Sequence, residues 1–260
     1  MKRKNPAPAS ALRPLLLAAA ASFCLLFLCA NVAPLYARAS RMPVLGPVVR
    51  VLRVGSGGER TDGIHAAARA EGETVYLRFE RGSEETDAAP VYTVSHLLSP
   101  NRLVLTLRGV RSLDFQGVRE SLLGAEAVED VYRAMIGDDS MVGLVIVLRG
   151  GYTCEVTERT APASLSLRFL APAEPLSEEP VYYLRSEAIP YGEELGMLTE
   201  RFAADGATQL KTRQGTYLIA IGQYGTQAEA EEALAALEER HGGETGLYVS
   251  SGRSDEIPER

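Results

Sequence analysis

Three histidines, His65, His96 and His241, and three cysteines, Cys24, Cys29 and Cys154, are the residues of this 260-residue chain best suited to nucleophilic or metal chemistry. A zinc hydrolase needs two or three ligands around an open coordination position and a carboxylate to activate water. Here the histidines are scattered and no HxxE-like pair occurs. A thiol nucleophile needs a histidine beside it, whereas a lone cysteine between strand residues reads as a small buried hydrophobe, and Cys154 is assigned that role. Asp138 and Asp139 are neighbours, so on a strand connection their carboxylates point apart and a turn is expected. "GSGG" at residues 55–58 is too short for a phosphate loop and lacks a following Lys-Ser/Thr. The expectation is a chain with no catalytic constellation, no metal and no cofactor, whose chemistry is binding.

Binding side chains of the right kind gather toward the C-terminus. "VYYLR" from residue 181 can be a strand; if Tyr182 and Leu184 face a helical layer, Tyr183 and Arg185 face away from it. "ATQLKT" supplies Gln209 and Lys211, and the turn after "YLIAIG" supplies Gln223. Sugar rings present apolar C–H faces edged by hydroxyl and N-acetyl groups, so flat aromatic faces with amide and guanidinium donors suit them. Each side chain alone is equally well an ordinary solvated sheet residue; the convergence makes the site.

The elements that must position these residues follow from periodicity. Tyr217, Ile219 and Ile221 alternate with Leu218 and Ala220 up to Gly222, and Thr226 caps a run with Ala230, Ala233, Leu234 and Leu237 at helical spacing. Upstream, Leu195, Leu198 and Phe202 mark a second helix. The order is β-α-β-β-α-β in about seventy residues, a split β-α-β sheet with both helices on one face and the other face free. Nucleic acid is a poor ligand: residues 181–251 hold five basic against eleven acidic side chains, and the whole chain carries a net charge of −7. The acidic run Glu229, Glu231, Glu232, Glu238 and Glu239 is the solvated face of the last helix.

Between about residues 73 and 170 the alternation is that of strands. "ETVYLRFE" sets Val75, Leu77 and Phe79 on one face and "NRLVLTLRGV" sets Leu103, Leu105 and Leu107, with "VEDVYRAMI", "MVGLVIVLRGGYTCEV" and "ASLSLRFL" continuing the pattern between Gly and Asp turns. An all-β sandwich is expected there. The composition, 46% hydrophobic and 23% charged, allows two small cores, so the fold class is α+β and multidomain.

The N-terminus carries Lys2, Arg3, Lys4 and Arg13 before an uncharged run at residues 15–33. That pattern means export, by a cleaved signal peptide, for which "YARAS" supplies small residues at Ala37 and Ala39, or by a retained membrane anchor. The expected organisation is an export segment at 1–37, a tether at 38–72, a β domain at 73–170, a Pro/acidic linker at 171–180, the split β-α-β domain at 181–251 and a disordered tail at 252–260.

Two family resemblances rest on these blocks. "SPNRLVLTLRGVRSLDF", the "VEDVYRAMIGDDSMVGLVIVLRGGYTCEVTE" stretch and "LSLRFL" resemble the AMIN domain of exported cell-wall amidases; Thr106 stands where the family often has an acid. "YLIAIGQYGTQAEAEEALAAL" is similar to the second half of the SPOR domain, with Gly222 at the family's Gly and Tyr224 at its aromatic; "YYLRSEAIPYGEEL" lacks the usual Val-Gly-Ser-Phe. The AMIN resemblance implies a β domain that contacts peptidoglycan. The SPOR resemblance implies a ferredoxin-like βαββαβ module whose free sheet face, with Leu218, Ala220 and Tyr224 added to the set above, binds glycan strands stripped of stem peptides, material concentrated at the division septum. Leu218 and Ala220 stand where polar or basic residues are usual, so an alternative is an adaptor that docks or regulates an envelope amidase instead of glycan.

Overall fold

Alternating burial builds the first module, seen in a computed structural model that describes residues 56–172 and 179–260 of the chain. The export segment, most of the tether and the middle of the linker lie outside the described residues. After a two-residue strand β1 (Ser56–Gly57) come β2 (Ile64–Glu71), β3 (Thr74–Arg81), β4 (Glu84–Glu85), β5 (Val91–Leu97), β6 (Arg102–Arg108) and β7 (Val110–Leu113). Helix α1 (Phe115–Leu123) follows, then β8 (Val128–Ala134), β9 (Met141–Leu148), β10 (Thr153–Arg159) and β11 (Ser164–Leu170).

Within residues 58–260 these strands form two sheets, one running β5-β6-β9-β8 and the other β10-β11-β3-β2-β7. Val75, Leu77 and Phe79 of β3 and Leu103, Leu105 and Leu107 of β6 point into one shared core with Leu144, Ile146, Leu165 and Leu167. Two stacked sheets around a single apolar layer is the arrangement that alternation demands. The turn before β6 is tied down by Asn101, whose amide nitrogen donates to the Gly150 and Tyr152 carbonyl oxygens at 2.6 and 2.8 Å while its oxygen meets His96 at 2.6 Å.

The first sheet domain begins earlier than residue 73. "IHAAARAE" is strand β2, paired with β3 on one side and β7 on the other, with Ile64 and Ala66 in the core. The small alanines of β2 leave room for helix α1 (Phe115–Leu123), which packs against this strand. Helix α1 closes one end: Asp114 caps it by accepting from the Gly117 N–H, and Val118 and Leu122 are its buried residues.

The C-terminal module consists of β12 (Val181–Arg185), α2 (Glu193–Arg201), β13 (Thr208–Lys211), β14 (Tyr217–Tyr224), α3 (Gln227–His241) and β15 (Tyr248–Gly252). Its four strands are antiparallel in the order β13-β14-β12-β15. Leu195 and Phe202 from the α2 region and Ala230 and Leu237 from α3 pack on Leu184, Ile219 and Ile221, so both helices cover one side of the sheet. Thr226 and Glu229 form a reciprocal cap at the start of α3, and Gly242 ends it in the left-handed region. Gly222, at φ +71°, marks the irregularity where β14 shifts register against β12; a Cβ there would meet the Tyr224 ring.

The chain is thus α+β, yet residues 58–260 form one compact unit, with no separation at the Pro-rich segment. The tail beyond residue 251 is also built in. Ser99 N–H donates to the Ser254 carbonyl at 2.9 Å, Arg213 N–H donates to Pro258 at 3.0 Å, and Ile257 packs against Tyr132, Val145 and Val147. An apolar residue at 257 and a seam with free backbone donors explain why this polar tail is ordered.

Candidate functional site

The helix-free side of the C-terminal sheet is the face the sequence points to, and the structure covers it. Tyr183, Leu210, Leu218 and Ala220 form their own small apolar cluster. Tyr183, Arg185, Leu218 and Ala220 are only 5, 7, 0 and 4% exposed. A face with two leucines and a tyrosine at its centre is too apolar to stay wet, and the molecule's own residues close it.

The closure comes from the first module. Arg102, at the start of β6 and 3% exposed, donates from Nη2 to Thr208 Oγ1 at 3.2 Å and from Nη1 to the carbonyls of Leu98 and Pro100. Gln223 Nε2 donates to the Leu98 carbonyl at 2.8 Å. Strand β13 is the sheet edge, and Tyr132 caps it: its hydroxyl donates to the Gln209 carbonyl at 3.2 Å and accepts from the Lys211 N–H at 3.3 Å. Burial pushes the Tyr132 phenol far above its ordinary range. Capping an edge strand in this way removes a pairing template.

Register corrects the placement of two expected residues. Gln209 pairs with Ile219 and Lys211 with Tyr217, whereas Leu210 pairs with Leu218. Paired residues share a face, so Gln209 and Lys211 lie on the helix side at the edge and Leu210 takes the position expected of them. Gln209, 2% exposed, accepts from the Met135 N–H at 2.7 Å and donates to the Met135 carbonyl at 2.7 Å and to Thr199 Oγ1 at 2.6 Å. Lys211 Nζ sits 2.7 Å from Asp130. Tyr224 pairs with Tyr182 and also turns to the helix side. Of the eight expected contacts only Gln223 is exposed, and its amide is engaged.

Arg102 has an unusual setting. Its Nε, the Ser99 Oγ and the Ser254 Oγ are buried with no hydrogen-bond partner among the described residues. Desolvation lowers its pKa to about 10, still charged at neutral pH, with the neighbouring Tyr132 and Tyr183 acting the other way. Arg185 likewise bonds a carbonyl, that of Ser186, and lies 5.3 Å from the Tyr248 ring centroid. Neither guanidinium has a carboxylate among its described partners.

A different sheet face is open. The outward residues of β2, β3, β10 and β11 include Arg69, Tyr76, Arg78, Arg159 and Arg168, opposite the core positions Leu77, Val156 and Leu167. The Arg159 guanidinium lies 4.9 Å from the Tyr76 ring centroid. Beside them is a cavity of about 270 Å³ lined by Glu71, Tyr76, Arg78 and Arg159 with the turn at residues 160–164. Arg78 is near both Glu71 and Glu85, at 3.6 and 3.8 Å, and Arg168 is 3.2 Å from Glu155. The sequence signal for this face was present in "TVYLRFER" and "SLSLRFL", whose outward positions alternate with the core ones.

The side chains first suspected of chemistry are apart. His65 meets Ser112, His96 meets Asn101 and His241 meets Asp205. Cys154 is partly exposed within β10, and burial pushes its thiol up to about 12, which makes it a poor nucleophile. Asp138 binds Ser140 through both backbone and side chain, the turn role expected of it. In comparisons with known proteins, no family model and no curated protein matches the chain.

Proposed function

We propose that the protein is a non-catalytic, peptidoglycan-binding component of the cell envelope, exported or anchored by its N-terminal segment, that holds itself or a partner at the wall. The observation that carries this reading is the open face around Tyr76. Peptidoglycan combines pyranose rings with N-acetyl groups and carboxylates. A flat tyrosine suits the ring, and four arginines on the same surface suit the acyl oxygens and the carboxylates. Arg69, Arg78 and Arg168 are ion-paired to Glu71, Glu85 and Glu155 on this exposed surface, while Arg159 lies over the Tyr76 ring, so a ligand carboxylate would exchange with exposed protein carboxylates and not enter an uncompensated cationic patch.

The test is co-sedimentation of the full chain, kept in mild detergent, with purified sacculi. The Tyr76→Ala, Arg159→Ala double variant should bind about tenfold more weakly, the equivalent of about 1.4 kcal/mol. Unchanged sedimentation of that variant would remove the Tyr76 face from the account.

A second reading, an adaptor that docks an envelope amidase, has one observation in its favour: the C-terminal sheet face already makes protein contacts. Capture of a purified amidase by a chain that ignores sacculi would decide for it.

A further inference from the structure

We propose that the cleft between the outward side of the first sheet and helix α2 binds a short peptide with free ends, its terminal carboxylate at Arg108 and its terminal ammonium at Glu200. The inference stands apart from the wall-binding reading, and sacculi play no part in its test.

Small residues shape both walls of the cleft. On the first sheet Leu105, Leu107 and Leu144 point into the core, so Thr106 and its cross-strand partners Thr93 and Gly143 form a row on the outward side. Arg108 and Met141 pair in the next row. A Cβ at Gly143 would stand 2.9 Å from Ile136 Cδ1, so the glycine lets Ile136 lie over the end of the first row. The other wall is α2, where Gly196, Thr199 and Glu200 share one face at i, i+3 and i+4. Gly196 packs so closely that its Cβ would stand 3.1 Å from Met135 Cγ. Between the walls lies a space of about 500 Å³, a volume that suits a small ligand.

The shape is fixed before any ligand arrives. Gln209 joins the two walls: it accepts from the Met135 N–H, and its amide nitrogen donates to the Met135 carbonyl and to Thr199 Oγ1. The Thr199 hydroxyl donates onward to the Leu195 carbonyl within α2. A site held in this way loses little freedom on binding.

The charges in the cleft name the ligand. Nearby, Asp138 is taken up by Ser140, and Arg111 by Asp62 and Asp139. Arg108 and Glu200 line the same space with no ion pair or side-chain hydrogen bond among the described residues, to each other or to any other group, and the Thr93 and Thr106 hydroxyls are equally free. Met135, Ile136 and Met141 add apolar surface. A cation on one wall, an anion on the other, and hydroxyls and thioethers between them complement a carboxylate, an ammonium, an amide and a small apolar side chain. Since Arg108 and Glu200 stand too far apart to pair, a single amino acid, whose two charges share one carbon, fits worse than a di- or tripeptide. The ends of such a peptide lie roughly 7–10 Å apart when extended.

The test is isothermal titration calorimetry of the full-length chain, in mild detergent, with trialanine, its N-acetyl form and its C-terminal amide. Trialanine should bind more tightly than alanine, and acetylation or amidation should each weaken it about fivefold, the size of one exposed charge pair. In Glu200→Gln the penalty for acetylation should vanish while that for amidation stays, and in Arg108→Gln the reverse. Both side chains are exposed, so the urea midpoint of each variant should match that of the parent. Tighter binding of all-D than of all-L trialanine would name a wall-type peptide as the source, and the opposite order a protein fragment. No heat from any trialanine at millimolar concentration overturns the proposal, and so does binding that ignores both end groups or end-group penalties that neither substitution changes.

Discussion

Both modules carry a sheet with one side turned away from its main core, and they treat that side in opposite ways. In the first module the outward side of β10-β11-β3-β2 alternates Arg, Tyr, Ser and Glu against an apolar inward side, so it can stay in water. In the C-terminal module the outward side of β13-β14-β12 carries Leu210, Leu218, Ala220 and Tyr183, and it is covered. The difference teaches that a topology with a free face does not by itself offer a binding surface. The outward residues decide: an apolar set finds a cover, and in this chain the cover is the neighbouring module.

The largest effect that could break this contrast comes from Tyr132. Tyr132→Ala removes a buried ring that packs edge-on to Tyr217 at 5.8 Å and a hydroxyl with two bonds to the β13 edge. A loss of about 3 kcal/mol is expected, read by denaturant unfolding. Tyr76→Ala on the open face should cost less than about 1 kcal/mol by the same measurement. Equal losses would mean the two faces are not different in kind.

A smaller effect is expected at Gln209. Gln209→Ala leaves the Met135 N–H and carbonyl and the Thr199 hydroxyl without their partner, which should cost about 1–3 kcal/mol. Gln209→Glu sharpens the result, because a carboxylate still accepts from Met135 N–H but cannot donate to its carbonyl; it should lose stability too, and recover part of it at low pH.

The smallest effect is electrostatic. Arg240, then His241, bond the Asp205 carboxylate at 2.9 and 2.8 Å and hold its pKa below the usual carboxylate range. A group depressed in the folded state contributes stability above its unfolded value, near ~3.9 for aspartate, and loses it as pH falls through the folded value. Asp205→Asn should therefore lower the urea midpoint slightly at neutral pH and flatten its decline below about pH 4. Since this site ties the residues after α2 to α3, it should leave the seam between modules untouched.

Legibility in the sequence follows the same divide between local and long-range causes. The β3, β6 and β9 strands and the Thr226 cap were readable because alternation and capping chemistry are local. Strand β2 was not, because four alanines in "IHAAARAE" give weak β-propensity and the preceding glycines suggest a tether. Helix α1 is nine residues long, too short for a clear period between strand signals. The side assigned to Gln209 and Lys211 was wrong because β13 has four residues and its phase is set by pairing with β14, not by its own pattern. The covering of the face around Tyr183 and Thr208 involves Arg102 of the first module, a contact that no local rule reaches.

Hydroxyl-radical footprinting of the tyrosines in the free full-length protein tests the contrast most directly. The account predicts rapid labelling of Tyr76 and strong protection of Tyr183 and Tyr132 in the same sample. Labelling of Tyr183 as fast as that of Tyr76 would show the C-terminal face to be open in solution and would contradict it.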